Sequence, residues 1–301
     1  MSSLSVRPGR RALVASGAAA AFTLAVGAPG AAQAAAPRGA AGRLRALERK
    51  HGARLGAFAY DTGTGRVVAH RAGETFPMCS LFKTVAVAAV LRDLDRDGEF
   101  LARRLHFTSE EAERSGWAPV TREHVDEGMT VAGLCDAAIR YSDNLAANLL
   151  LRELGGPTAV TRFCRSVGDG TTRLDRWEPA LNSAEPWRET DTTSPCAVGR
   201  MYARLVLGDL LDPGDRERLT GWLLGNTTSR DRFRAGLPGD WVLADKTGGG
   251  KYGTNNDAGI AWPPGRPPVV LAVMTTKRAA DAPGDDPLVA EAARILAGAL
   301  G

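Results

Sequence analysis

Residues 76–91, "FPMCSLFKTVAVAAVL", place a serine and a lysine three positions apart at the mouth of a segment that is apolar on nearly every side. Residues three apart on a helix share a face, so Ser80 and Lys83 can meet if the helix begins near Ser80. A helix apolar all round belongs in the middle of a domain, not on its surface. Its N-terminus offers partial positive charge and backbone N–H groups where an oxyanion would form. Burial also favours the neutral form of a lysine, giving an amine able to take a proton from a hydroxyl. The competing account makes Ser80 an ordinary N-cap. Only five of the 38 Lys and Arg residues are lysines. Of the two types only lysine can be deprotonated, which favours the chemical account at position 83.

Outward from that segment, residues 40–56 carry Leu44, Leu47 and Leu55 at spacings of a helix with one apolar face. Residues 54–74 alternate, turn on Gly63 and Gly65, and alternate again, a hairpin signal. From Ser80 to about Leu224 the chain reads mainly helical, broken at Gly98, Gly155 to Pro157, Gly168 to Gly170, Pro179, Pro186 and Pro195. Strand signals return in "WVLADKTG" (241–248), "NDAGIAWP" (256–263) and "PPVVLAVMTT" (267–276), before a closing helical pattern over 287–300. The expected fold is α/β (α+β): an antiparallel sheet covered by N- and C-terminal helices, with a helical block inserted. The expected domains are an α/β domain from 37–75 and 225–301 and an all-α domain from 76–224.

The 301 residues suffice for one large or two modest domains with a sizeable core. The formal charge is +4, but Arg7, Arg10 and Arg11 lie in a first segment without acidic residues. Subtracting those three from +4 leaves about +1, which removes the case for a nucleic-acid partner. That segment reads as a cleaved export signal over 1–36: basic residues, an apolar run from Ala12 to Val26, then small residues with cleavage after Ala34 or Ala36. The apolar run is too short for a comfortable membrane span, so no stable membrane association is expected. Arg10-Arg11 suggests the twin-arginine route, with an ordinary secretory signal as the alternative. Cys79, Cys135, Cys164 and Cys196 allow three pairing schemes if all are bridged. A chain this large does not need bridges for its core, and free buried thiols are the favoured reading. His51, His70, His106 and His124 show no metal-ligand spacing, so neither metal nor other cofactor is expected.

Two further stretches join the first. In "YSDNLAANLLLRELGG", Ser142 has a plain reading as the cap of a helix lined by Leu145, Leu149 and Leu150. In "ADKTGGGKYG", Lys246 and Thr247 end a strand, and the glycines admit a ligand close to the backbone. Taken together, Ser-x-x-Lys, Ser-Asp-Asn and Lys-Thr-Gly, in this order and at these separations, resemble the serine β-lactamases of class A and the penicillin-binding proteins. The resemblance covers essentially the whole mature chain. It implies a serine enzyme that hydrolyses a small-molecule β-lactam, a penicillin or cephalosporin, through an acyl-enzyme, as a monomer that confers antibiotic resistance.

By that resemblance Ser80 is the nucleophile and Lys83 its proton-handling partner. Ser142 passes a proton to the departing nitrogen, and Asn144 holds the substrate's side-chain amide. Lys246, Thr247 and Gly248 receive the substrate carboxylate. The backbone N–H groups of Ser80 and Gly249 form the oxyanion hole, where losing one donor costs about 2.7–4 kcal/mol. In "RWEPALN", Glu178 and Asn182 are four apart and can grip one water. The class A enzymes carry this element on an Ω-loop to hydrolyse the acyl-enzyme, and penicillin-binding proteins lack it. Arg176 and Asp191 match the ion pair across the neck of that loop. Trp117 matches an aromatic at the site entrance, with core packing as its alternative, and Arg232 an additional carboxylate contact. In carbapenem-hydrolysing relatives a cysteine matching Cys79 bridges to a position that is Gly250 here, so that reading is lowered. The familiar partner position of Cys135 is Val87. The rivals are a D-alanyl-D-alanine carboxypeptidase or transpeptidase, and a secreted protein that is acylated once and stops.

Overall fold

The computed structural model describes residues 39–300. The expected export signal and its cleavage point lie outside the described residues. The first helix, Ala40–His51, buries Leu44 and Leu47. It stops because Gly52 adopts a left-handed conformation (φ 57°), with Gly52 N–H donating to Arg49 O and Ala53 N–H to Glu48 O. That stop corrects the reading of Leu55 as part of the helix. Leu55 lies in the strand Arg54–Asp61, fully buried.

Five strands form one antiparallel sheet in the order Val67–His70, Arg54–Asp61, Val269–Thr276, Asn255–Trp262, Val242–Gly249. The first two are the expected hairpin, with Tyr60 opposite Val67 and Ala57 opposite His70. The next ladder, between Arg54–Asp61 and Val269–Thr276, sets Phe58 opposite Ala272, and Lys246 faces Ala258 across the last ladder. Strands from both ends of the chain are therefore neighbours. The helices Ala40–His51 and Asp286–Leu300 cover one face, where Leu44, Leu55, Leu271, Leu288 and Leu296 form a continuous apolar cluster. The helix Pro195–Val206 lies on the other face and links the sheet to the helical block through Phe58, Val270, Met201 and Tyr202. The antiparallel sheet, its terminal helices and the inserted helices agree with the expected α/β (α+β) class.

Within that block, every residue of the helix Phe82–Ala89 is buried. Each large apolar side chain so placed contributes about 1.5–3 kcal/mol relative to exposure, which anchors the helix as the block's axis. The short turn Cys79–Leu81 leads into it. The two-residue ladder of Phe76–Pro77 with Thr192–Thr193 ties this turn to the far end of the 176–191 loop. Met78 N–H donates to Asp191 O at 2.9 Å, extending the tie. Among the described residues no helix is long and apolar enough to cross a membrane.

Candidate active site

Ser80 is not a cap: neither the turn Cys79–Leu81 nor the helix Phe82–Ala89 has a side-chain cap hydrogen bond. Its hydroxyl donates instead to Glu178 Oε1 at 3.4 Å. Lys83 Nζ lies 3.1 Å from the same oxygen, and neither side chain of this pair is exposed at all. The ammonium also donates to Asn144 Oδ1 at 2.7 Å, Ser142 O at 2.8 Å and Ser142 Oγ at 3.4 Å. Burial pulls the Lys83 pKa below that of an ordinary lysine, opposed by the charge and hydrogen bond of Glu178. Burial and the neighbouring carboxylate thus act on this amine in opposite directions.

The second motif sits where the helix Asn144–Glu153 begins. Asp143, not Ser142, caps it by accepting from Ala146 N–H. The same carboxylate accepts from the N–H groups of Val120 and Thr121 and from the Thr121 hydroxyl, fixing the corner. Ser142 takes a left-handed backbone, φ 57°. Such a conformation in a residue other than glycine persists only where its surroundings impose it. Its hydroxyl accepts from Lys246 Nζ at 3.0 Å and stands between two lysines. Asn144 spans from Lys83 to the Ser115 carbonyl, reached at 2.9 Å.

The third motif ends the edge strand Val242–Gly249. Lys246 is fully buried. Burial, with the charges of Lys83 and Arg232 next, sets its pKa well below that of a free lysine. The Thr247 hydroxyl is held by Thr228, itself bonded to Asn226 Oδ1 at 2.8 Å. At Gly248 a Cβ would stand 2.7 Å from Met78 O and 3.3 Å from Ser80 N. Only glycine lets the strand lie this close to the serine turn. The next residue, Gly249, ends the strand opposite Asn255.

The loop completes the arrangement. Glu178 is only 4% exposed, so it is not a solvated loop carboxylate. Asn182, in the short turn Ala180–Ser183, donates its Nδ2–H to Glu178 Oε2. Arg176 Nε pairs with Asp191 at the loop's neck, and Asp191 Oδ1 also accepts from the N–H groups of Asp175 and Arg176. The structure thus brings Ser80, Lys83, Ser142, Asn144, Glu178, Asn182 and Lys246 into one hydrogen-bonded cluster.

Comparison with known proteins bears on this constellation. A model of the β-lactamase enzyme family matches residues 40–300. The chain belongs to that family. The β-lactamase of Streptomyces fradiae is 69% identical over 304 residues, spanning 100% of this chain and 99% of that protein. Among solved structures, the β-lactamase from Streptomyces albus G is 66% identical with a TM-score of 0.86, covering 87% of this chain and 99% of that one. A variant of a class A β-lactamase, the last common ancestor of Gram-negative bacteria, is 49% identical with a TM-score of 0.83, covering 87% and 98%.

In this β-lactamase Trp117 is 60% exposed, and its Nε1–H donates to Tyr141 O at 3.0 Å. Core packing is thereby excluded for Trp117. Arg232 is held by Asp286 at 2.8 Å and by the carbonyls of Gly248 and Asn256 at 3.1 and 3.0 Å, so its guanidinium lies beside the edge strand. All four cysteines are free thiols, Cys79, Cys135 and Cys164 buried and Cys196 half-buried. Burial pushes the Cys164 thiol up to about 12, which makes it inert. Sequence reasoning missed Asn148. One turn after Asn144, it accepts from Glu178 N–H at 3.0 Å and donates to Glu178 O at 2.9 Å. Its i, i+4 spacing from Asn144 puts both on one face, a signal present in the sequence but unreadable without knowing what that face meets.

Proposed function

We propose that the chain opens the β-lactam amide of penicillins and cephalosporins through an acyl-enzyme on Ser80 and then hydrolyses that ester, conferring antibiotic resistance. The observation that carries this reading is the convergence of the Ser80 hydroxyl and the Lys83 amine on one oxygen of the buried Glu178. Ser80 attacks the lactam carbonyl while its proton passes to the Lys83 and Glu178 pair. Backbone N–H groups of Ser80 and Gly249 take the developing oxyanion. Ser142, within reach of both Lys83 and Lys246, hands a proton to the departing nitrogen. Lys246, Thr247, Gly248 and Arg232 receive the substrate carboxylate, Asn144 its side-chain amide, and Trp117 walls the entrance. For the second half-reaction Glu178 and Asn182 orient water onto the ester. A general base of this kind contributes roughly 10²- to 10⁴-fold. The buried position of Glu178 favours hydrolysis over the carboxypeptidase and single-acylation readings.

Glu178→Ala tests it: with a penicillin, intact-mass spectrometry should show an adduct on Ser80 that the parent enzyme does not accumulate. An unmodified mass for the variant while the parent turns over would sink the assignment. Export by the signal over 1–36, by the twin-arginine route, and a monomeric state belong to the same proposal. Medium fractionation with and without Arg10→Lys/Arg11→Lys, and light scattering, test these. The division into an α/β domain (37–75, 225–301) and an all-α domain (76–224) is proposed on the order of elements along the chain, although one apolar cluster joins the helical block to a sheet face through Phe58, Ile260 and Val270. Native-state hydrogen exchange that resolved a single cooperative unit would count against it.

A further inference from the structure

The loop 176–191 has a third fastening besides its neck and the grip of Asn148 on Glu178. The turn 250–253, which joins the strands Val242–Gly249 and Asn255–Trp262, lies against the limb of the loop that follows Asn182. Lys251 N–H donates to Asn182 O at 3.0 Å. Five residues beyond Asn182, the Trp187 ring meets the Tyr252 ring edge to face, with centroids 5.3 Å apart and planes at 83°. At Gly250 a Cβ would stand 2.8 Å from Asn182 O and 3.0 Å from Ala184 Cβ, so turn and limb touch between these two points as well. Trp187 is 71% exposed. Core packing therefore does not explain it.

Each side of this contact is braced on its own. Tyr252 holds a left-handed backbone, φ 56°, a conformation that persists only where the surroundings impose it. Its N–H donates to Ala280 O at 3.0 Å, and its carbonyl accepts from Lys277 N–H at 2.6 Å and from the Thr276 hydroxyl at 3.3 Å. On the loop, Glu185 knits the limb together. Its carboxylate accepts from the Ser183 hydroxyl at 2.7 Å and from Arg188 Nε at 3.0 Å, and its carbonyl from Arg188 N–H at 3.0 Å. Arg176 Nη1 donates to the Ser183 hydroxyl at 2.8 Å. These bonds tie Trp187 to Asn182, whose side chain donates to Glu178 Oε2. A ring seated on Tyr252 thus resists withdrawal of Asn182 from Lys251.

We propose that Trp187 and Tyr252 are positioning residues: their ring contact keeps the Asn182 carbonyl on Lys251 N–H, and so holds the Asn182 side chain against Glu178 while the ester on Ser80 is hydrolysed. Neither ring touches the reacting atoms. That Asn182 serves ester hydrolysis rests on the proposed function; that the ring contact holds Asn182 to Lys251 does not. An edge-to-face aromatic pair shifts an equilibrium about 2- to 12-fold, so its loss should free the Asn182–Lys251 bond by that factor. Ser80, Lys83 and Lys246 are held by other elements, and acylation should not feel the change.

The test compares Trp187→Ala, Tyr252→Ala, the double alanine variant and Trp187→Phe with the parent. Hydrogen exchange of the Lys251 amide reads the contact in the free enzyme. It should quicken about fivefold in either alanine variant, and no further in the double variant, because two residues acting through one contact are not additive. Amides of the strand Val269–Thr276 should keep the parent's rate. Single-turnover mixing with a penicillin separates the half-reactions: ester hydrolysis should slow about fivefold in the alanine variants, while acylation, and with it kcat/KM, stays at the parent's value. Trp187→Phe keeps a ring against Tyr252 and should restore both readouts. An unchanged Lys251 amide, additive effects in the double variant, faster exchange without slower hydrolysis, or a loss that falls on acylation, as a direct substrate contact of Trp187 would give, would each overturn the proposal. A parent that forms no acyl-enzyme would instead overturn the proposed function, and the Lys251 amide would still decide the ring contact.

Discussion

Replacing Asn148 with alanine tests how the Glu178 carboxylate is held for its proposed role. The residue sits on the helix Asn144–Glu153 and grips the main chain of Glu178 on both sides, accepting from its N–H at 3.0 Å and donating to its carbonyl at 2.9 Å. Alanine removes both bonds and leaves two half-buried polar groups behind. At about 0.5–1.5 kcal/mol net for each bond, the grip contributes roughly 1–3 kcal/mol. If that energy holds Glu178 in its productive position, its loss slows the step served by Glu178 by about 5- to 150-fold, since 1.36 kcal/mol is tenfold. Ser80 and Lys83 stay in place, so the deficit should fall mainly on hydrolysis of the ester. Rapid-mixing kinetics with a chromogenic cephalosporin should show a burst equal to the enzyme concentration followed by slow turnover. Mass spectrometry should find the adduct. Asn148→Asp keeps the acceptor for Glu178 N–H but sets a carboxylate against the Glu178 carbonyl, so it should be impaired at least as much. Turnover by Asn148→Ala within about twofold of the parent, without a burst, would show that the loop holds Glu178 unaided.

The neck of the loop should respond asymmetrically. Asp191 is 1% exposed and satisfies two backbone N–H groups as well as Arg176. Asp191→Ala should cost about 3–5 kcal/mol, and the left-handed backbone there (φ 59°) adds to the strain. Arg176→Ala leaves Asp191 its two N–H donors and should cost about 1–2 kcal/mol. Equal costs in urea unfolding would mean that the pair's attraction, not the buried N–H groups, governs the neck. Gly248→Ala should drive its Cβ into Met78 O, which lies 2.7 Å away. Overpacking of this kind costs about 1–3 kcal/mol, and a shift of the serine turn by about 1 Å costs roughly 10²-fold in rate. A kcat/KM equal to the parent's would refute the claimed closeness of strand and turn.

The amino-acid sequence by itself determined the local elements and the chemical types. Alternation in 54–74 and 267–276, an all-apolar segment after Lys83 and the breakers between them suffice for a sheet with inserted helices, because periodicity decides which face an element buries. Serine chemistry and the rarity of lysine pointed to Ser80 and Lys83, and the resemblance carried by the three motifs together added Ser142 and Lys246. Where local signals conflicted, the sequence misled: Leu55 continued the helical spacing, but Gly52 had already ended the helix. Tertiary structure alone decided which groups meet. Glu178 is 98 residues from Ser80 in the chain, and Asn148, which grips its main chain, is 30 residues away. Proton affinity depends on burial and on neighbours a few ångströms away, and neither distance nor dielectric is written in residue order.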